Sequence, residues 1–143
     1  MLRHKVAASL MLVMATLQSQ AAELVVHVDH VANDRGFVCV AIHRTESGYL
    51  DGDDAKAFRL GKIAAHAPEV TLRFELPAGK YAIKAFHDEN GDGKLNRNFF
   101  GAPTEPYGIS NNVRARFSLP PFQDAQLTAG DAVTETHIGL AGH

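Results

Sequence analysis

The chain has no tryptophan, one cysteine, and three methionines that all fall within its first 14 residues. A lone Cys39 excludes an internal disulfide, and without methionine beyond Met14 the remainder lacks the thioether ligands of a copper carrier. Cys39 lies in the apolar stretch Phe37-Val38-Cys39-Val40-Ala41-Ile42, which predicts a packed strand residue rather than a reactive thiol. No lipobox cysteine directly follows the N-terminal apolar run to carry a lipid anchor. No run reaches the roughly 20 apolar residues that a membrane-spanning helix needs. Basic charge is also short, with 14 Lys and Arg against 16 Asp and Glu, so the field that drives nucleic-acid binding is missing.

What the N-terminus does have is a positive start at Arg3, His4 and Lys5, an apolar segment from Val6 to Leu17, and the small-x-small triplet Ser19-Gln20-Ala21. That order reads as a secretory signal over residues 1–21, with a single exported domain, periplasmic or secreted, over residues 22–143. Cleavage would remove Arg3 and Lys5 from the 14 basic residues and none of the 16 acidic ones, moving the formal charge from −2 to −4.

Past this point the apolar residues recur with a period of two. Leu24 to Val28 and Gly36 to His43 are β-rich, and Asn33-Asp34-Arg35-Gly36 between them has the composition of a hairpin turn. Val70, Leu72, Phe74 and Leu76 alternate with Thr71, Arg73 and Glu75, as in a strand with one buried face. Tyr81 to Phe86 follows as a further strand, and Val113 to Leu119, Ala125 to Thr128 and Val133 to Leu140 complete the set. Asp53 to Leu60 reads as a short helix or an irregular crossover. About seven short strands separated by turns predict an all-β antiparallel Greek-key sandwich.

The sharpest chemical signal is His87-Asp88-Glu89-Asn90-Gly91-Asp92-Gly93-Lys94-Leu95-Asn96. With Asp88 as position 1 of a calcium loop, Asn90 falls at 3, Asp92 at 5, Gly93 at the turn position 6, the Lys94 carbonyl at 7 and Asn96 at 9. Position 12, normally a bidentate Glu, is Phe99, so the loop is a weak site or takes a ligand from elsewhere. Glu105, the sole acid of the following segment Gly101 to Asn112, supplies that ligand if it folds back, and otherwise is a solvated loop residue. An unliganded turn would need only one of the two dipeptides Asn90-Gly91 and Asp92-Gly93. Asp51-Gly52-Asp53-Asp54 lacks this ladder of ligands and reads as a solvated loop.

Leu76-Pro77-Ala78-Gly79-Lys80-Tyr81 resembles the L-P-x-G-x-Y corner of transthyretin-like (prealbumin-like) and carboxypeptidase-regulatory-like sandwiches. A wider set of motifs joins it: Gly36-Phe37-Val38, His87 to Leu95, and Gly101-Ala102-Pro103-Thr104-Glu105-Pro106-Tyr107-Gly108-Ile109-Ser110-Asn111-Asn112. In that order they are similar to the bacterial family catalogued as domain of unknown function 2141. Asp92 and Asn96 exchange acid for amide within the family pattern, and Ile109 stands where it has an aromatic. The resemblance implies an exported sandwich and supplies no reaction.

Catalytic patterns are sparse. Ser110 lacks the second glycine and the strand-to-helix setting of a nucleophile elbow. His27, His43 and His137 fall on predicted strands and would hold zinc or copper only if they met on one face; their spacing is no metal motif. The expectation is a non-enzymatic exported module with a structural calcium ion in the Asp88 to Asn96 loop, which meets a protein, glycan or small ligand through neighbouring loops. The alternative is a small periplasmic enzyme or transition-metal handler that uses His87 and nearby carboxylates.

Overall fold

The computed structural model describes residues 11–13, 21–98, 102–114 and 118–141. Its strands are β1 (Ala21–Asp29), β2 (Phe37–His43), β3 (Arg59–Ala64), β4 (Glu69–Pro77), β5 (Gly79–Asp88), β6 (Tyr107–Ile109), β7 (Gln126–Ala129) and β8 (Thr134–Gly139). Two short helices, α1 (Glu46–Leu50) and α2 (Phe122–Ala125), lie between them. One sheet has the order β4-β1-β8; the other runs β3-β2-β5-β6, with β7 also paired to β5. Among the described residues no helix is long and apolar enough to cross a membrane.

The alternation seen in sequence becomes the two inner faces of a sandwich. Leu24, Val26 and Val28 of β1 and Leu72, Phe74 and Leu76 of β4 pack against Val38, Val40 and Ile42 of β2 and Tyr81, Ile83 and Ala85 of β5. Removing such side chains from water supplies about 1.5–3 kcal/mol each, which makes this layer the main source of stability. A second cluster, Tyr49, Ala82, Ile109, Phe122 and Ala125, covers the outer side of β5 with α1 and α2.

The predicted corner at Leu76 to Tyr81 carries the chain from one sheet to the other, since β4 and β5 belong to different sheets. The Tyr81 hydroxyl donates to the Pro77 carbonyl, and its ring is buried and stacks on Phe58.

Two expectations need correction. β1 and β2 form no hairpin: β1 pairs with β4 and β8, whereas β2 pairs with β3 and β5. The turn between them crosses the sandwich because both strands must turn an apolar face inward from opposite layers. The all-β sandwich is as expected, its strands pairing antiparallel apart from β8, which runs parallel to β1. The described ends of the expected strand from Val113 to Leu119 are irregular, and residues 115–117 lie outside the described residues. Asp53 to Leu60, read as a short helix or an irregular crossover, holds a short 3₁₀ helix at Asp54–Lys56 and then enters β3, an edge strand with little burial. The signal-peptide expectation falls almost wholly outside the described residues; β1 begins at Ala21, and Ala22 is already buried.

Candidate functional site

Strand β5, bonded on both edges, delivers His87 and Asp88 to one end of the sandwich. Asp88 is fully buried, a costly position for a carboxylate without partners. Its Oδ2 accepts the Gly93 N–H at 2.7 Å, which closes the loop from position 1 to position 6. Its Oδ1 is buried with no hydrogen-bond partner. Gly36 presses on the same spot from the β1–β2 connection: a Cβ there would sit 2.0 Å from the Asp88 carbonyl oxygen. The preceding Arg35 accepts a 2.7 Å bond at its carbonyl from His87 Nε2, and its guanidinium pairs with Glu89 at 2.9 Å.

From Asp88 the chain coils through successive side-chain-to-backbone turns. Asn90 Oδ1 accepts from the Asp92 N–H at 3.2 Å, and Asp92 Oδ1 accepts from the Lys94 N–H at 2.9 Å. Gly91 and Gly93 supply the positive φ values, +72° and +78°, that these turns need. The amide of Asn96 donates to Asp92 Oδ2 at 2.8 Å, and the Asn90 amide donates to Asn96 Oδ1 at 3.0 Å. Together the Asn96 amide and the Lys94 N–H hold the Asp92 carboxyl below its usual value. Asp88, Asn90, Asp92 and Asn96 are thus gathered into one small coil, with Lys94 at its turn.

Glu105 comes back over this coil. The Asn98 N–H donates to the Ala102 carbonyl, and both the N–H and the hydroxyl of Thr104 donate to the Asn96 carbonyl, so the second loop returns as a narrow ribbon. Glu105 is 6% exposed and its Oε2 accepts the Asn96 N–H at 3.1 Å. Burial pushes its carboxyl above the usual range, and the charges of Asp88 and Asp92 push the same way. Phe99, at position 12, lies outside the described residues. Asp88, Asp92 and Glu105 do not bring three ligand atoms within 4.8 Å of one another; among the described residues Asp29, Glu69 and His137 do.

The remaining candidates have other employment. His87 is fully buried, with Nε2 given to the Arg35 carbonyl and Nδ1 sealed from solvent without a partner. The Ser110 hydroxyl accepts from the Ile83 N–H and donates to the Ala125 carbonyl, tying α2 to β5. His43 is separated from His27 and His137 by the sandwich: it lies buried in the β2 sheet, with Nε2 3.3 Å from Asp54 Oδ1. Lys84 reaches the same Asp54 oxygen at 3.1 Å. Burial works to raise the Asp54 carboxyl, but His43 and Lys84 outweigh it and hold the group below its usual value. Asp51 and Asp53 serve as acceptors for nearby backbone N–H groups. The Cys39 thiol is pushed up to about 11 by burial, which keeps it unreactive at neutral pH.

Sequence reasoning missed the part that Arg35 and Gly36 play against Asp88 and His87. The signal was there, since a glycine in a β-rich context marks close backbone approach, but its partner lies some 50 residues away in the chain. It also missed that His27 and His137 stand opposite each other on the outer face of the β4-β1-β8 sheet.

No curated protein and no solved structure matches the chain. A family model does match, over residues 26–137, a span that includes both loops, the Leu76 to Tyr81 corner and every strand from β2 to β7. On that match the chain belongs to the bacterial family described as "Uncharacterized protein conserved in bacteria (DUF2141)".

Proposed function

We propose that this protein is an exported, non-enzymatic β-sandwich module whose Asp88 to Asn96 loop binds calcium, with Glu105 in place of the missing position-12 acid. The observation that carries this reading is Asp88: a fully buried carboxylate at the head of a calcium-spaced loop, with one oxygen on Gly93 and the other without a partner. A hard cation that takes six to eight oxygen ligands suits Asp88, Asn90, Asp92, the Lys94 carbonyl, Asn96 and Glu105. Its charge would also offset the burial, and the lesser repulsion from Asp88 and Asp92, that raise the Glu105 carboxyl. On binding, the Asn96 amide leaves Asp92 Oδ2 and the two loops tighten into one rigid end, the surface offered to a protein, glycan or small ligand. Export is supported by the N-terminal sequence pattern. Cleavage after Ala21 would leave the buried Ala22 and the rest of β1 in place. We assign no catalytic role to His87, whose ring is spent on the Arg35 carbonyl.

Calorimetry and thermal melting of the mature domain test this. Calcium should bind with a Kd of about 10⁻⁴ to 10⁻³ M, the range of extracellular modules, and about 100 Kd of calcium should add roughly 2.7 kcal/mol of stability. Magnesium, which keeps its waters, should add much less. Asp88→Ala and Asp92→Ala should each abolish the calcium shift. Absence of heat and of any melting shift in the wild type at several millimolar calcium would leave the segment an ordinary glycine turn.

A further inference from the structure

The outer face of the β4-β1-β8 sheet gathers ionisable groups by strand register alone. Asp29 of β1 stands opposite Glu69 of β4, and His27 of β1 stands opposite His137 of β8. Like charges placed directly across two strands destabilise a sheet unless something neutralises them. Here the ion-pair partners of Asp29, Glu69 and the adjacent Glu135 are histidines only, among the described residues. Arg73, on the same strand as Glu69, is taken by Glu23 at 2.8 Å. None of Asp29, Glu69 and Glu135 has a Lys or Arg partner among the described residues.

The geometry is that of a ligand set. Asp29, Glu69 and His137 each place one ligand atom within 4.8 Å of the other two, and His137 Nδ1 is 3.1 Å from Asp29 Oδ2. His27 stacks on His137 with ring centroids 4.4 Å apart and planes 13° from parallel. Its Nδ1 lies 3.0 Å from Glu69 Oε1 and equally close to Thr71 Oγ1, while Nε2 is 3.6 Å from Glu135. His27 therefore holds Glu69 in position, as the outer hydrogen-bonding partners of metal-ligating carboxylates do. Mixed imidazole and carboxylate donors suit zinc, whereas calcium and magnesium take oxygen.

We propose that Asp29, Glu69 and His137 form a zinc site on this outer face, independent of the calcium loop, with its fourth position open to solvent or to a ligand from another molecule. Three protein ligands with a fourth position left to water or another molecule is a coordination that zinc takes in proteins.

Zinc calorimetry of the mature protein, paired with visible absorption of the cobalt(II)-loaded form, tests the site. Wild type should bind one zinc and give the intense cobalt bands of a low-coordinate centre. His137→Ala and Glu69→Gln alter exposed side chains, so folding should survive, and circular dichroism checks that it has. Each should weaken zinc by at least about tenfold and remove the cobalt bands, while Thr71→Val and His27→Ala, which touch only the outer partners, should weaken it less. Asp88→Ala should leave zinc binding unchanged while abolishing calcium binding, so the two sites can fail separately. Lack of zinc binding by wild type at about 100 μM, far above a useful protein zinc affinity, overturns the proposal. Binding that survives both His137→Ala and Glu69→Gln overturns it equally, because the metal would then be held elsewhere.

Discussion

Replacing Gly36 with alanine probes the joint between the fold and the loop. Gly36 has φ +69°, and a Cβ there would lie 2.0 Å from the Asp88 carbonyl oxygen, 2.9 Å from that of Glu89 and 3.0 Å from the Asp88 carbonyl carbon. All three are backbone atoms, so no side chain can swing away; either the turn or the end of β5 has to move. The left-handed backbone costs alanine about 1–2 kcal/mol, and forced separation of packed segments adds about 1–3. Stiffening of the unfolded chain returns about 0.4–1 kcal/mol, which leaves a net loss of roughly 1–4.5 kcal/mol for Gly36→Ala, centred near 3. Gly93 is the matched control. Its φ is +78°, yet nothing lies within 4 Å of its would-be Cβ, so Gly93→Ala should lose only about 1 kcal/mol. Equilibrium urea unfolding of the two variants beside wild type measures the gap. If Gly36→Ala falls within about 0.5 kcal/mol of Gly93→Ala, the close approach of the β1–β2 turn to Asp88 is wrong, since backbone conformation alone would then account for both.

Tyr81→Ala should cost about 3–5 kcal/mol in denaturant titration, as for other large buried aromatics, and Tyr81→Phe, which loses only the bond to the Pro77 carbonyl, about 0.5–1.5 kcal/mol. Glu105 has a raised carboxyl, so its contribution to stability is present below the ordinary 4.5 and is lost as pH rises through the folded value. Ionised Glu105 therefore weakens the calcium-free fold at neutral pH: Glu105→Gln should melt at the same temperature or higher without calcium, yet bind calcium about tenfold more weakly for want of one ligand charge. Asp54 has the opposite sign, with a lowered carboxyl whose contribution is present above the ordinary 3.8 and is lost as pH falls through the folded value. Asp54→Asn should thus destabilise the protein at pH 7 by about 0.5–1.5 kcal/mol, solvent screening at this partly exposed site reducing the loss of the Lys84 pair, and a stability-versus-pH series should show the difference shrinking below pH 4.

Local pattern carried much of this fold. Period-two alternation located β1, β2, β4, β5 and β8, because each buries one face against the opposite layer, and burial of alternate residues leaves its mark in every such strand. β3 and β6 escaped notice for the converse reason. β3 is an edge strand with every residue at least partly exposed, and β6 has three residues, too few to show a period. The Pro77, Gly79 and Tyr81 spacing located the corner because proline, glycine and a bonded tyrosine have few other uses at that spacing.

The sequence by itself determined the oxygen ladder from Asp88 to Asn96 and the two glycines that let it coil, since side chains a few residues apart meet by local geometry alone. Tertiary structure decided the rest: that Asp88 is buried with one oxygen unpartnered, that Gly36 and Arg35 wall it in, and that Glu105 returns to the coil. It also set His27 beside His137, and Asp29 beside Glu69, while sending His43 to the other sheet. Those meetings depend on which strands pair and in what register, and register comes from the summed burial of whole faces, a property that no short stretch of sequence contains.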